Sequence, residues 1–178
     1  MNKIKGYNNA TAITGDGNRL PAGGYICRIV KVEDFPGKEY LKIGYDILEG
    51  EYAKYFEGVY ERNGKQWWPA NFFRSYKESA LGFFKGFIEA IDMSNNTHYT
   101  DAIEGGFDEQ NLVRKKIGLV IGYEEYRGND GSIKERAYVA KNTSIQNIED
   151  GKYTVPALKQ LKEDNYTILE STDSDLPF

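Results

Sequence analysis

Hydrophobic and polar residues alternate along Tyr40 to Leu48, YLKIGYDIL, with Leu41, Ile43, Tyr45 and Ile47 on one side and Tyr40, Lys42, Gly44 and Asp46 on the other. A period of two puts successive side chains on opposite faces of an extended chain, so this stretch predicts a half-buried strand. Upstream, YICRIVKVE (Tyr25 to Glu33) is rich in β-branched residues and bounded by Gly24 and by Phe35-Pro36-Gly37, which predicts a first strand closed by a turn. Tyr52 to Tyr60 reads as a third strand, bulged at Gly58. The period then changes. In ESALGFFKGFIEAID (Glu78 to Asp92), Leu81, Phe84, Ile88 and Ile91 recur every three or four residues with Phe87 beside them, predicting a helix with one buried stripe. Gly82 and Gly86 are read as allowing that helix to pack closely on a sheet. After a loop over 94–111, KIGLVIGYEEY (Lys116 to Tyr126) alternates again, Gly128-Asn-Asp-Gly131 marks a hairpin, and Ile133 to Lys141 forms the last strand. A short helical piece is expected from Val155, with Pro156 in its first turn.

Three strands, one helix and two strands in that order match the five-stranded OB-fold barrel, in which a helix between the third and fourth strands plugs one end. An α+β roll would also accommodate the helix. The expected organisation is an N-terminal arm over 1–23, the barrel over 24–162, and a disordered acidic tail over 163–178.

The composition adds charge asymmetry to this pattern. The chain of 178 residues carries a net charge of -4, but Glu163, Asp164, Glu170, Asp173 and Asp175 fall in the tail with no Lys or Arg. The 23 basic residues therefore face 22 acidic ones in the preceding body, a net +1. Such an asymmetry points to an interaction tail. One cysteine, Cys27, and one histidine, His98, leave no internal disulfide and no Cys/His zinc cluster, and no cofactor is expected. A polar N-terminus and the lack of an 18-residue apolar run lead to an expectation of a cytoplasmic protein.

The chain ends DSDLPF. Pro177 biases Leu176 towards an extended form, and Phe178 presents a ring and the free α-carboxylate together, a combination suited to an apolar pocket with a basic rim. This ending resembles the acidic tip of bacterial single-stranded DNA-binding proteins (SSBs). The body lacks their Gln/Gly-rich linker and is more similar to the SSB-like proteins of phages and mobile elements, in stretches such as LPAGGYICRIVKVED and YLKIGYDILEGEY. The resemblance implies that Asp173, Asp175, Leu176, Pro177 and Phe178 dock replication, recombination or repair proteins, and that the body holds single-stranded DNA.

Binding a single strand needs cations along the phosphates and rings on which bases stack. The candidates are Tyr40 and Lys42 on the solvent side of the second strand, and Tyr126, Arg127, Lys134, Arg136 and Tyr138 on the hairpin. A third group lies in WWPANFFRSYK, where Trp67, Trp68 and Arg74 are candidates and Phe72 and Phe73 are read as a hydrophobic staple. The alternating residues of the strands are core. No Walker loop, zincin helix or nucleophile elbow is present, and Glu124 and Glu125 point to opposite faces, so no enzyme is expected. The competing reading is an OB-fold adaptor that binds proteins without holding DNA.

Overall fold

The computed structural model describes residues 19–162. The strands are β1 (Gly23–Phe35), β2 (Tyr40–Ile47), β3 (Asn71–Ser75), β4 (Lys116–Arg127) and β5 (Ile133–Thr143), and the helices α1 (Tyr55–Arg62), α2 (Leu81–Asn95) and α3 (Ile145–Glu149). The strands form one open antiparallel sheet in the order β3-β2-β1-β4-β5. The long β1 pairs with β2 through one half and with β4 through the other, which bends the sheet around its inner face.

That inner face is the core. Cys27 and Ile29 of β1, Leu41, Ile43, Tyr45 and Ile47 of β2, Phe72 of β3 and Ile117, Leu119 and Ile121 of β4 are all buried there. Phe84, Phe87, Ile88 and Ile91 close the core from α2, which packs on β3, β4 and β5. The helix lies where the two edge strands approach one another. Those edges share no ladder. They are joined by Arg74 of β3, which donates from Nε (2.9 Å) and Nη2 (2.6 Å) to Asn142 Oδ1 of β5.

Several expectations are corrected. The third strand is not at Tyr52 to Tyr60: the chain turns after Gly50 and forms α1, and β3 lies within the Trp- and Phe-rich segment instead. Leu81, expected on the buried stripe of α2, is 49% exposed, and a Cβ at Gly82 or Gly86 would meet nothing within 4 Å, so neither glycine serves close packing. No helix forms from Val155; the helix after β5 is α3, whose first turn is capped by the Ser144 hydroxyl accepting from Asn147 N. Core packing also reaches upstream of Gly24, where Leu20 is buried and its N–H donates to Tyr55 Oη. The rest of the expected arm, residues 1–18, and the tail over 163–178 lie outside the described residues.

Helix α1 exists because β2 supplies its N-terminal acceptor. Asp46 is buried, and its carboxylate accepts from Ile47 N (2.8 Å), Phe56 N (2.9 Å) and Glu57 N (3.1 Å), so two orphan donors of the first turn are satisfied by a strand residue. Burial pushes the Asp46 pKa up, and these three N–H donors offset only part of that rise. The expected result of Asp46→Ala is a loss of about 2–3 kcal/mol from donors left buried without a partner. Asp46→Asn should fall between the two, because its Oδ1 keeps two bonds while its NH2 group opposes Glu57 N–H. Thermal melts of the three proteins check this order.

The end of the described chain lies across the outside of the sheet. After α3, residues 151–162 run extended over β1 and β4, and Lys159 bridges the β4 backbone, donating to Tyr123 O and accepting from Glu125 N. Two glycines make room for this strap, since a Cβ at Gly24 would stand 2.5 Å from the Tyr153 ring and one at Gly122 2.5 Å from Pro156; a third, Gly118, makes room for α3, where a Cβ would stand 2.6 Å from Ile148.

Candidate nucleic-acid interface

The bulge in β1 between Ile29 and Lys31 resets its alternation, so that Lys31, Glu33 and Phe35 all face away from the core. Register then places Phe35 opposite Tyr40, Glu33 opposite Lys42, and Lys42 opposite Phe73. These residues share the outer face of three adjacent strands. Phe35 stacks on Tyr40 with ring centroids 4.9 Å apart and planes at 25°, and Phe73 meets Tyr40 edge-on at 5.5 Å. Phe73 is 55% exposed and Phe35 37%, so the cluster presents aromatic surface to solvent. Phe73 is thus no staple over the core, whereas its neighbour Phe72 is buried as expected.

Next to this cluster is a small charge network. Glu33 accepts from Lys31 at 2.7 Å and lies 3.8 Å from Lys42. The hydrogen bond from Lys31, helped by the positive charge of both lysines, holds the Glu33 carboxyl below its ordinary pKa. Further along the same face, Arg28 and Lys116 are exposed cross-strand neighbours and continue the positive charge towards β4.

At the other end of the face lie Trp67 and Trp68. The Trp68 ring covers Gly44, whose hypothetical Cβ would be 3.3 Å from it; a side chain there would push the ring off the sheet. Its Nε1 donates to Tyr45 O (3.0 Å), its carbonyl accepts from Asn71 Nδ2 (2.9 Å), and its ring tilts against Tyr60 of α1 at 5.3 Å. Trp68 is therefore held in one orientation. Trp67 is 57% exposed, with its carbonyl fixed by Asn63 Nδ2 (2.9 Å). Between these rings and β1 is an open cleft of about 380 Å³.

The remaining candidates separate from this face. Arg74 is the clasp between β3 and β5: besides Asn142 it donates from Nη1 to Phe73 O (2.9 Å), and it stacks over Phe72 at 4.7 Å. Burial draws its pKa down to about 10, which still leaves it charged at neutral pH. The hairpin residues form a second cluster. Arg136 lies over the Tyr126 ring at 5.2 Å and pairs with Glu124 at 2.8 Å, while Lys134, opposite Tyr126, is 3.6 Å from Asp130. Arg127 donates to Gly131 O (3.1 Å). Tyr138 is covered by the strap, with Lys159 Nζ 3.9 Å from its ring centre. By register both clusters lie on the outer surface, and the strap runs between them over β4.

Phe35, Tyr60, Gln66 and Lys31 were not singled out from the sequence. The signal for Tyr60 was present: Tyr52, Tyr55, Phe56, Val59 and Tyr60 recur at helical spacing. The tip residues Asp173, Asp175, Leu176, Pro177 and Phe178 lie outside the described residues. Among the described residues, no helix is long and apolar enough to cross a membrane. No protein-family model, no curated protein and no solved structure matches the chain.

Proposed function

We propose that this protein binds single-stranded DNA, without strong sequence preference, along the outer face of β1, β2 and β3. The observation that carries the reading is the arrangement on that face: exposed rings at both ends, Phe35 and Phe73 beside the half-buried Tyr40 at one and Trp67 beside the half-buried Trp68 at the other, with Lys31 and Lys42 between them. Aromatic rings stack on any base because every base has a π-face, and ammonium groups follow any phosphate, so the surface tolerates sequence. The hairpin cluster around Tyr126 and Arg136 is a secondary contact region. Strand order, the position of α2 and the Arg74 clasp support an OB-type barrel whose edge strands meet through side chains. The C-terminal tip, on the strength of its sequence resemblance, recruits replication, recombination or repair proteins.

A fluorescence titration of the full chain with poly-dT tests the DNA reading. The expected result is quenching of tryptophan emission, and an affinity that falls with salt by about 0.7 log units per log unit for each phosphate contacted. Because Glu33 occupies both lysines, Glu33→Gln should tighten binding several-fold and steepen that slope. Unchanged emission together with no salt-sensitive binding would instead favour the adaptor.

A further inference from the structure

We infer that the cleft between α1, the Trp67-Trp68 turn and β1 is a slot for one unstacked nucleobase, separate from the open stacking surface around Phe35, Tyr40 and Phe73. The inference rests on the reading of this face as a single-stranded DNA site and goes beyond it by assigning one discrete, base-tolerant subsite.

The cleft is lined by Val30, Lys31, Tyr60, Gln66, Trp67 and Trp68, and its volume of about 380 Å³ is at the small end of the range for ligand sites. Its walls differ in rigidity. Trp68 is fixed by its bond to Tyr45 O and its packing on Tyr60, whereas Trp67 is held through its carbonyl and its ring is exposed. A fixed wall opposite an adjustable one suits a flat guest of variable size, purine or pyrimidine. Lys31 and Gln66 are the lining residues with flexible polar ends, and each matches part of a nucleotide. Lys31 is exposed at the β1 side, paired among the described residues with the less exposed but still accessible Glu33, and a phosphate can replace that carboxylate.

Gln66 is also exposed, and its backbone N–H is committed to Asn63 Oδ1 at 3.2 Å, which holds the residue at the rim while leaving its amide for a guest. A primary amide offers a donor and an acceptor side by side and exchanges their order by rotating about its last bond. All four bases carry an adjacent donor and acceptor on the Watson–Crick edge. The slot therefore requires that a base be present without demanding which one. That chemistry suits a protein that holds arbitrary single strands in a defined register.

The test uses the full chain and the shortest oligo-dT that binds as tightly as longer ones, with a single abasic residue stepped through it. The expected profile is uneven: one position loses about tenfold or more in affinity, within the range of a lost base–ring stack, and the others lose clearly less. At the sensitive position, dA, dC and dG should bind within a few-fold of dT. Gln66→Ala, an exposed substitution that spares the fold, should reduce the contrast between positions, and Tyr60→Leu should flatten it. A flat profile with full wild-type affinity overturns the slot and leaves the DNA-binding face standing. Failure of every intact oligomer to bind overturns both. A strong preference for one base at the sensitive position also defeats the inference, since it would mean a fixed edge-reading pocket.

Discussion

Replacing Gly118 by alanine should lower stability by about 2–3 kcal/mol, the usual cost of forcing a methyl group into a packed site. The position lies inside β4, two residues from its start, where glycine is otherwise a poor choice. The added Cβ would lie 2.6 Å from Ile148 Cγ1, 2.7 Å from Ser144 O and 2.9 Å from Thr143 O. Two of those atoms are backbone carbonyl oxygens at the junction of β5 and α3, which no rotamer change can withdraw. Relief therefore requires α3 to lift away from the sheet, and the strap that follows it would lift too. At about 2–4 °C per kcal/mol for a chain of this size, the melting temperature should drop by roughly 5–10 °C. Gly122→Ala should cost less, because its contacts are the rings of Pro156 and Tyr138, which have some room to shift. Gly82→Ala, on the open side of α2, should be neutral or stabilising by up to about 1 kcal/mol through helix propensity. Three melting curves establish the order, and a Gly118→Ala protein as stable as wild type would show that α3 does not press on β4.

The second large effect concerns binding. Trp67→Ala combined with Phe73→Ala should weaken poly-dT binding by at least about thirtyfold, since each ring is worth about 1–3 kcal/mol of base stacking. The two lie at opposite ends of the face and share no described ring contact, so their losses should add. Both side chains are more than half exposed, so stability should change little and the loss can be assigned to the ligand. The matching control is Leu81→Ala with Phe83→Ala, which removes comparable exposed apolar surface from α2, away from the outer face of the sheet. Equal losses in the two double variants would mean that exposed hydrophobicity in general, rather than this face, captures the oligomer.

Much of this was legible in the sequence where burial imposes a period. Strand β2 begins at the expected Tyr40 and its core residues are the expected ones, and Ile117, Leu119 and Ile121 of β4 and the Phe84, Phe87, Ile88 and Ile91 stripe of α2 behave the same way. The third strand was misplaced because two signals conflict over Tyr52 to Tyr60, a helical spacing and an aromatic composition. Tyr52, Tyr55, Phe56 and Tyr60 carry the aromatic bias of a strand, but their conformation is set by Asp46 ten residues away, which caps a helix that local propensity does not favour. The true β3 was hidden by its own composition. In NFFRS the alternation is carried by two phenylalanines side by side, Phe72 inward and Phe73 outward, which no hydropathy pattern separates.

The candidate site divides along the same line. Tyr40 and Lys42 could be picked out because an alternating strand shows which side chains face solvent, and Trp67 and Trp68 by residue type in a ring-rich segment. Arg74 could not be assigned correctly from type alone. Its role depends on Asn142, 68 residues further on, and a cation suited to phosphate serves equally well to hold two sheet edges together. Phe35 likewise read as part of a Pro-Gly turn, and only the pairing with Tyr40 brings it onto the aromatic face.

The unlike settings of the two tryptophans carry a spectroscopic consequence. Trp68 is shielded and gives its indole hydrogen to a main-chain oxygen, while Trp67 stands largely in water. Their emission should accordingly differ in colour, the shielded indole bluer and the wet one redder, so each chain carries two intrinsic dyes of unequal sensitivity. An arriving base should dim the red component first, whereas loosening of the fold should shift the blue one, and the two events can be told apart in a single cuvette without any label.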